Sequence, residues 1–117
     1  MKQLILCALA LVTASAAYAH DYPTVDRVEY VHGCMRNNTG PYYEMLYKCS
    51  CAIDAIAADM PYDQYTNAAT ASNAMSIGGE RGAGIRDAQM GKDLAAQYKA
   101  AQAKAKRACF INDPATK

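Results

Sequence analysis

The chain has 117 residues, with 12 basic and 11 acidic side chains and a formal net charge of +1. This balance argues against binding to a nucleic-acid backbone, which needs clustered Lys and Arg side chains. The longest apolar run lies at the N-terminus and is shorter than the ~20 residues that cross a membrane. The composition therefore favours a small folded domain over a membrane-spanning or nucleic-acid-binding chain.

Residues 1–19 are predicted to be a cleavable export signal. A lysine near the start is followed by a short apolar segment and by a small-x-small cleavage site that ends at Ala19. Cleavage would leave one domain, residues 20–117, with His20 as its first residue. We expect this mature chain to be periplasmic or secreted, without insertion into the membrane once the signal is removed.

The mature chain is predicted to be all-α, because its apolar residues recur every three to four positions and no alternating stretch is sustained. Thr24 and Asp26 are capping candidates for the first helix, and Asp26 with Glu29 has the spacing of a capping box. The residues predicted to share one face of this helix are Val25, Val28, Val31, His32 and Met35.

Three further helices complete a predicted bundle of about four. Pro41 is expected to open the second helix and Pro61 to end it. The third is predicted from about residue 61 to 75 and the last over 89–109. The predicted inward residues are Tyr43, Leu46, Ile53, Ile56 and Met60 in the second helix, Tyr62, Tyr65, Ala69 and Ser72 in the third, and Met90, Leu94, Tyr98, Ala101, Ala105 and Ala108 in the last.

The glycine-rich segment 77–87 is predicted to be a long flexible connection between the last two helices. Its arginines are suited to hold a carboxylate or phosphate, and glycine amides permit a close approach of the backbone. No Gly-Lys-Ser/Thr follows, so the segment is not a Walker-type loop. A mobile linker is the simpler interpretation of the segment, and a binding loop is the alternative to it. The candidate binding residues are Gly79, Glu80, Arg81, Gly82 and Arg86.

The four mature cysteines are predicted to form two disulfides, because their number is even and the expected compartment is oxidising. Cys49 and Cys51 lie two positions apart on a helix, ~200° around its axis, and so cannot easily bridge each other. Cys34 and Cys49 can meet across the turn before the second helix, which leaves Cys51 for Cys109. The alternative pairing of Cys34 with Cys51 and Cys49 with Cys109 remains open.

Two other uses of these side chains compete with the disulfides. A zinc site could take three thiolates and one imidazole, although the spacing is unusual for zinc and the compartment is oxidising. The amino group and imidazole of His20, with His32 as a further nitrogen ligand, could instead hold copper. A thiol-redox role would require a reactive thiolate near a helix N-terminus or a positive charge.

Several short stretches together resemble a group of small exported helical proteins of proteobacteria. They are Val31-His32-Gly33-Cys34-Met35, Tyr47-Lys48-Cys49-Ser50-Cys51-Ala52-Ile53-Asp54, Gly79-Glu80-Arg81-Gly82 and Cys109. That group is associated with the gene neighbourhoods of periplasmic quinoprotein alcohol dehydrogenases, so the resemblance implies an accessory role and no catalytic residue. In size and architecture the chain is also similar to small periplasmic acid-stress chaperones.

We therefore expect a non-enzymatic, disulfide-stabilised protein that binds another macromolecule, most simply a protein, without a cofactor. No serine hydrolase motif is present, and the two histidines and scattered carboxylates form no recognisable catalytic group. The alternative is a metal-binding or thiol-redox accessory protein that uses His20, His32 or the mature cysteines.

Overall fold

The computed structural model describes residues 22–112, and all regular structure in this part of the chain is helical, which confirms the predicted all-α class. The α-helices here are α1 (Thr24–Asn37), α2 (Tyr42–Asp59), α3 (Tyr62–Ser76), α4 (Ala83–Asp87) and α5 (Gln89–Ala108). The number expected was about four, and the short α4 is the addition. The predicted signal peptide and His20 lie outside the described residues.

Proline positions the start of each of the first three helices. Pro23, Pro41 and Pro61 each lie directly before a helix in extended backbone, with φ between −53° and −58°. Their carbonyl oxygens accept the first helical hydrogen bonds, for example from Met45 N to Pro41 O at 2.9 Å. The predicted capping box of Asp26 is wrong, because Pro23 occupies the capping position and no side chain caps α1.

The last helix ends in a left-handed turn that its sequence did not indicate. Phe110 has φ 56°, a conformation that usually falls to glycine. The amide of Ile111 then reaches back to the carbonyl of Lys106 at 2.9 Å, and the Ile111 side chain is buried. This closure matches a Schellman motif, in which an apolar contact accompanies the reversed chain.

The helices pack in a chain of contacts rather than around one axis. α1 packs on α2, α2 packs on the C-terminal part of α5, and α3 packs on α5. The short α4 lies against α3 and α5. Direct packing between α1 and α3 is minor, and the Tyr62 hydroxyl at the start of α3 donates a hydrogen bond to the Asp26 carboxylate of α1.

Two disulfides fasten α1 and α5 to α2. Cys34 is bonded to Cys49, with Cα atoms 5.8 Å apart, and Cys51 is bonded to Cys109, with Cα atoms 5.9 Å apart. Neighbouring positions on α2 reach different helices because their side chains leave the helix on different sides. The structure therefore has the first of the two pairings considered above.

The largest fully buried side chains belong to α2 and to the segment before α1. Tyr22, Cys49, Ile53 and Ile56 are at most 2% exposed. The Tyr22 hydroxyl donates to the carbonyl of Met60 at 2.8 Å, so this buried phenol has its hydrogen-bond partner. The Tyr22 ring also contacts those of Tyr62 and Tyr65, with centroids 5.4 and 4.7 Å away.

The predicted buried faces are only partly right. On α1 the buried residues are Tyr30 and Cys34, while Val31 and Met35 are half-buried and His32 is exposed. The bond from Cys34 to α2 turns this side of α1 inward. The apolar residues that were expected inside but are exposed are Val25, Val28, Tyr43, Met90 and Ala108.

Small residues on α5 allow neighbouring helices to pack closely against it. Gly91, Ala95 and Ala105 are buried, and a Cβ atom on Gly91 would press against the backbone of Ile85 in α4. Lys104 pairs with Asp59 and so adds an ionic contact between α5 and the end of α2. Within residues 22–112, no helix combines the length and hydropathy needed to cross a membrane.

Candidate functional site

The segment predicted as a flexible binding loop is largely helical, which corrects that expectation. A 3-10 turn at Glu80–Gly82 leads directly into α4. Gly79 has φ 75°, which explains the need for glycine at that position. Gly82 is buried, and a Cβ there would lie only 2.7 Å from the carbonyl oxygen of Ile77. The turn is thus packed against the end of α3.

The two candidate arginines of this segment have different environments. The Arg86 guanidinium donates to the carbonyl oxygens of Ile77 and Gly79, the latter at 2.7 Å. This side chain is therefore engaged by the backbone of its own segment. Arg81 is exposed, as is Glu80 beside it. Of the predicted pair, only Arg81 presents its charge freely to solvent.

The candidate metal ligands within residues 22–112 do not converge, and His20 lies outside these residues. Cys34, Cys49, Cys51 and Cys109 are all in disulfides, and Cys49 is fully buried. His32 is exposed on α1. Within residues 22–112 no group of three His, Cys, Asp or Glu side chains is close enough to hold a metal ion.

A cleft of about 800 Å³ lies between α1 and α3, with α5 as its third side. The cleft exists because α1 packs along α2 whereas α3 packs along α5. The facing sides of α1 and α3 are therefore largely without a helical neighbour. The polar residues that line it are Asp26, Glu29, His32, Arg36, Asn37 and Asn38 from α1 and its end, Thr66, Thr70, Ser72 and Asn73 from α3, and Gln102 and Lys106 from α5.

Three tyrosines from different helices also line the cleft. Tyr30 and Tyr65 are buried, Tyr98 is half-buried, and the ring centroids of Tyr65 and Tyr98 are 5.8 Å apart. Burial raises the pKa of all three phenols above the ordinary value for tyrosine. These groups therefore stay protonated at neutral pH, where they offer hydrogen bonds and ring surface rather than charge or a general base.

Asn38 lies at the end of α1 and borders the cleft. Its side-chain amide donates to the carbonyl of Cys34 at 2.7 Å, which fixes the orientation of the amide group. The residue is only 5% exposed, and its Oδ1 atom is buried without a hydrogen-bond partner in the described part of the chain. A buried acceptor without a partner costs free energy.

Arg36 and Lys106, the cationic side chains of the cleft, form no ion pair with another residue of the described range 22–112. The salt bridges among residues 22–112 join Arg27 to Asp54, Lys48 to Glu44 and Lys104 to Asp59. Arg36 and Lys106 take part in none of them, and both line the cleft. Arg36 and His32 also border a smaller groove of about 290 Å³ on the other side of α1.

The sequence contained one usable signal for this cleft. The polar residues of α3 recur at the spacing of a single helical face, as Thr66, Thr70 and Asn73 show. This face lies opposite the buried alanines of α3, so it can be recognised from the sequence. The opposing wall could not be inferred in this way, because it depends on how α1 is rotated by its disulfide.

Comparison with protein-family models, curated protein sequences and solved structures finds no match to this chain. The function must therefore be inferred from the cleft and its surroundings.

Proposed function

We propose that the mature chain is a non-enzymatic periplasmic or secreted protein that binds a protein partner in the cleft between α1 and α3. The observation that carries the proposal is the cleft itself, a polar space of about 800 Å³ that is bounded by α1, α3 and α5. Small-molecule sites have volumes of ~300–1,000 Å³, so the cleft can admit a short segment of a partner chain but not a whole domain.

The side chains of the cleft suit a polypeptide. Asn73, Gln102 and Thr70 supply both donors and acceptors, which match the N–H and C=O groups of a peptide backbone. The rings of Tyr30, Tyr65 and Tyr98, one from each of the three helices, add apolar surface with little loss of side-chain entropy on binding. A nucleic-acid backbone fits less well, because Asp26 and Glu29 offset the positive charge of Arg36 and Lys106.

The disulfides support this function by holding the cleft open. α1 and α5 are each bonded to α2, so two sides of the cleft keep their positions in the absence of a partner. A preformed site avoids part of the entropy cost of ordering on binding. A rigid binding surface of this kind is consistent with an accessory role beside another exported protein.

The test is site-specific photo-cross-linking in the exporting cell. A p-benzoylphenylalanine side chain at the position of Thr70 would face the cleft from α3. Lys99 is the matched control, since it is exposed on α5 and does not line the cleft. We expect a discrete protein adduct from position 70 and none from position 99. Equal adducts from both positions, or none from position 70, would refute binding in the cleft.

A third position separates the cleft from the segment after α3. Arg81 is exposed and borders no part of the cleft, so a cross-linker there reports on binding by the glycine-rich segment 77–87. An adduct from position 81 alone would assign partner binding to that segment. Arg86→Ala is unsuitable for this purpose, because loss of its two hydrogen bonds to backbone carbonyls should itself lower the melting temperature.

A further inference from the structure

The first two turns of α2 present three aromatic rings to solvent. Tyr42, Tyr43 and Tyr47 are between 65% and 75% exposed. The rings of Tyr42 and Tyr43 meet edge to face, with centroids 5.3 Å apart. Tyr43 and Tyr47 are four positions apart, so they are neighbours on one side of the helix. These three tyrosines therefore form one continuous surface, which we call the tyrosine ridge.

An apolar groove of about 290 Å³ lies beside the tyrosine ridge, between α1 and α2. It is lined by Val31, His32, Met35 and Arg36 from α1 and by Tyr42 and Leu46 from α2. Its three aliphatic residues are half-buried, so the neighbouring helix only partly covers them. Because Tyr42 belongs to both features, the ridge and the groove form a single face of the molecule.

The aromatic surface of this face is large for so small a chain. An aromatic side chain can bury ~150–250 Å², so the three exposed rings together present ~400 Å². Each partner in a standard protein–protein interface buries ~800 Å², and the ridge alone supplies about half of that area. The groove and the exposed side chain of Glu44 adjoin the ridge and add to it. The face is therefore large enough for an interface between two folded chains.

The shape and chemistry of the face suit a second copy of the same chain. A twofold interface uses the same patch on both copies, so a ridge on one copy needs a groove within that patch on the other. The α1–α2 face contains both. A phenol hydroxyl donates and accepts hydrogen bonds, so tyrosines of two copies can satisfy each other.

The charges around the face allow two copies to approach each other. Glu44 and Lys48 form an ion pair within α2, with Nζ 2.6 Å from Oε1. The formal net charge of the chain is only +1, so long-range repulsion between copies is small. Arg36 is exposed at the groove, where its guanidinium can stack on an incoming tyrosine ring.

We propose that two copies of the mature chain associate through this face about a twofold axis, with the tyrosine ridge of each copy in the α1–α2 groove of the other. The proposal goes beyond the proposed function and does not depend on it. The cleft has its other two sides on α3 and α5, which take no part in this face, so the dimer presents two clefts.

Sedimentation equilibrium of the mature, oxidised protein tests the proposal. We expect the average mass to rise from one chain to two between about 1 and 500 µM protein, with a dissociation constant in the micromolar range. A single chain at every concentration would overturn the proposal. Growth beyond two chains would also overturn it, because a twofold interface is fully used once two copies have met.

Tyr42→Gln and Tyr47→Gln test the groove and the ridge separately. Both positions are exposed on a helix, where Gln is at least as favourable as Tyr, and helical circular dichroism checks that the fold is kept. Each change should weaken dimerisation about tenfold or more, since tyrosines often dominate interface energies. Met90→Gln is the matched control, because Met90 is 75% exposed at the start of α5 and should not affect dimerisation. Equal effects of all three changes, or no effect of either tyrosine change, would overturn the proposal.

A photo-cross-linker at position 47 identifies the occupant of the face. With purified protein carrying p-benzoylphenylalanine there, we expect an adduct of two chains in which the linked peptide contains Val31 or Met35. A link to any other part of the second copy would overturn the arrangement. In the exporting cell, an adduct with a different protein and none between copies would assign the face to that protein and overturn dimerisation. The result at position 70 decides the proposed function separately.

Discussion

Removal of the disulfide between Cys51 and Cys109 is expected to lower the free energy of unfolding by about 4 kcal/mol. The bond spans 58 residues of sequence, and the chain-entropy relation gives ~4 kcal/mol for a loop of that length. Replacement by alanine should cost little packing on the α2 side, because Cys51 is exposed. Small domains have total stabilities of only ~5–15 kcal/mol, so Cys51→Ala/Cys109→Ala should be close to unfolding.

The assay is urea unfolding of the mature chain followed by helical circular dichroism. Cys34→Ala/Cys49→Ala is the matched comparison, with a bond that spans 15 residues and an entropic contribution of ~3 kcal/mol. Both of these sulfur atoms belong to buried residues, so lost packing should add ~1–2 kcal/mol. We therefore expect similar destabilisation of the two variants, although their loop lengths differ about fourfold.

A loss below ~1.5 kcal/mol for Cys51→Ala/Cys109→Ala would refute this reasoning. It would show that α5 is held on α2 by side-chain contacts, including the ion pair of Lys104 with Asp59. The single variant Cys51→Ala checks the pairing on which the calculation depends. Its free thiol should be Cys109, and alkylation at Cys34 instead would indicate the alternative pairing.

Two further predictions concern the packing of the helices. Stability should fall as the pH rises above about 10, because burial raises the pKa of Tyr22 to about 12 and also raises that of Tyr30, so the folded state keeps protons that the unfolded state releases. Tyr30 alone contributes up to ~1.4 kcal/mol per pH unit to this fall in the free energy of unfolding. Urea unfolding of Tyr30→Phe between about pH 10 and 11 should therefore show a shallower fall in stability than that of the unmodified protein. An unchanged slope would contradict this assignment. Gly91→Ala should destabilise the protein by ~1–3 kcal/mol in thermal unfolding, because its Cβ meets the backbone of α4. Gly84→Ala, with open space around it, should be neutral or slightly stabilising, and equal effects of the two glycine changes would count against the described packing of α4 on α5.

Helix positions could be predicted because their boundaries are set by local chemistry. Pro41 and Pro61 lack an amide hydrogen and have a fixed φ, so each separates two helices whatever surrounds it. The predicted bounds of α3 and α5 accordingly differ from the observed ones by about one residue. The left-handed turn at Phe110 was not predicted, because no glycine marks it.

Burial was harder to predict, since a helical pattern shows several possible apolar faces. Val25 and Val28 have the spacing of a buried face but are 63% and 48% exposed. The side of α1 that contains Tyr30 and Cys34 is inward instead, because the bond from Cys34 to α2 determines the rotation of α1. The order of the segment after α3 was also missed, because its glycines suggested a flexible loop. Hydrogen bonds from Arg86 to the carbonyl oxygens of Ile77 and Gly79 instead hold this segment in a defined turn.

By itself the sequence determined the helical class, the places where most helices begin, and the fact that Cys49 and Cys51 must reach different partners. These features depend on interactions within a few residues, on the 3.6-residue period and on proline geometry. Only the tertiary structure decided that α1 and α3 pack on different neighbours and leave a cleft between them. That arrangement depends on contacts between residues far apart in the chain, and it brings Arg36, Thr70 and Lys106 from three different helices to the lining of one cleft.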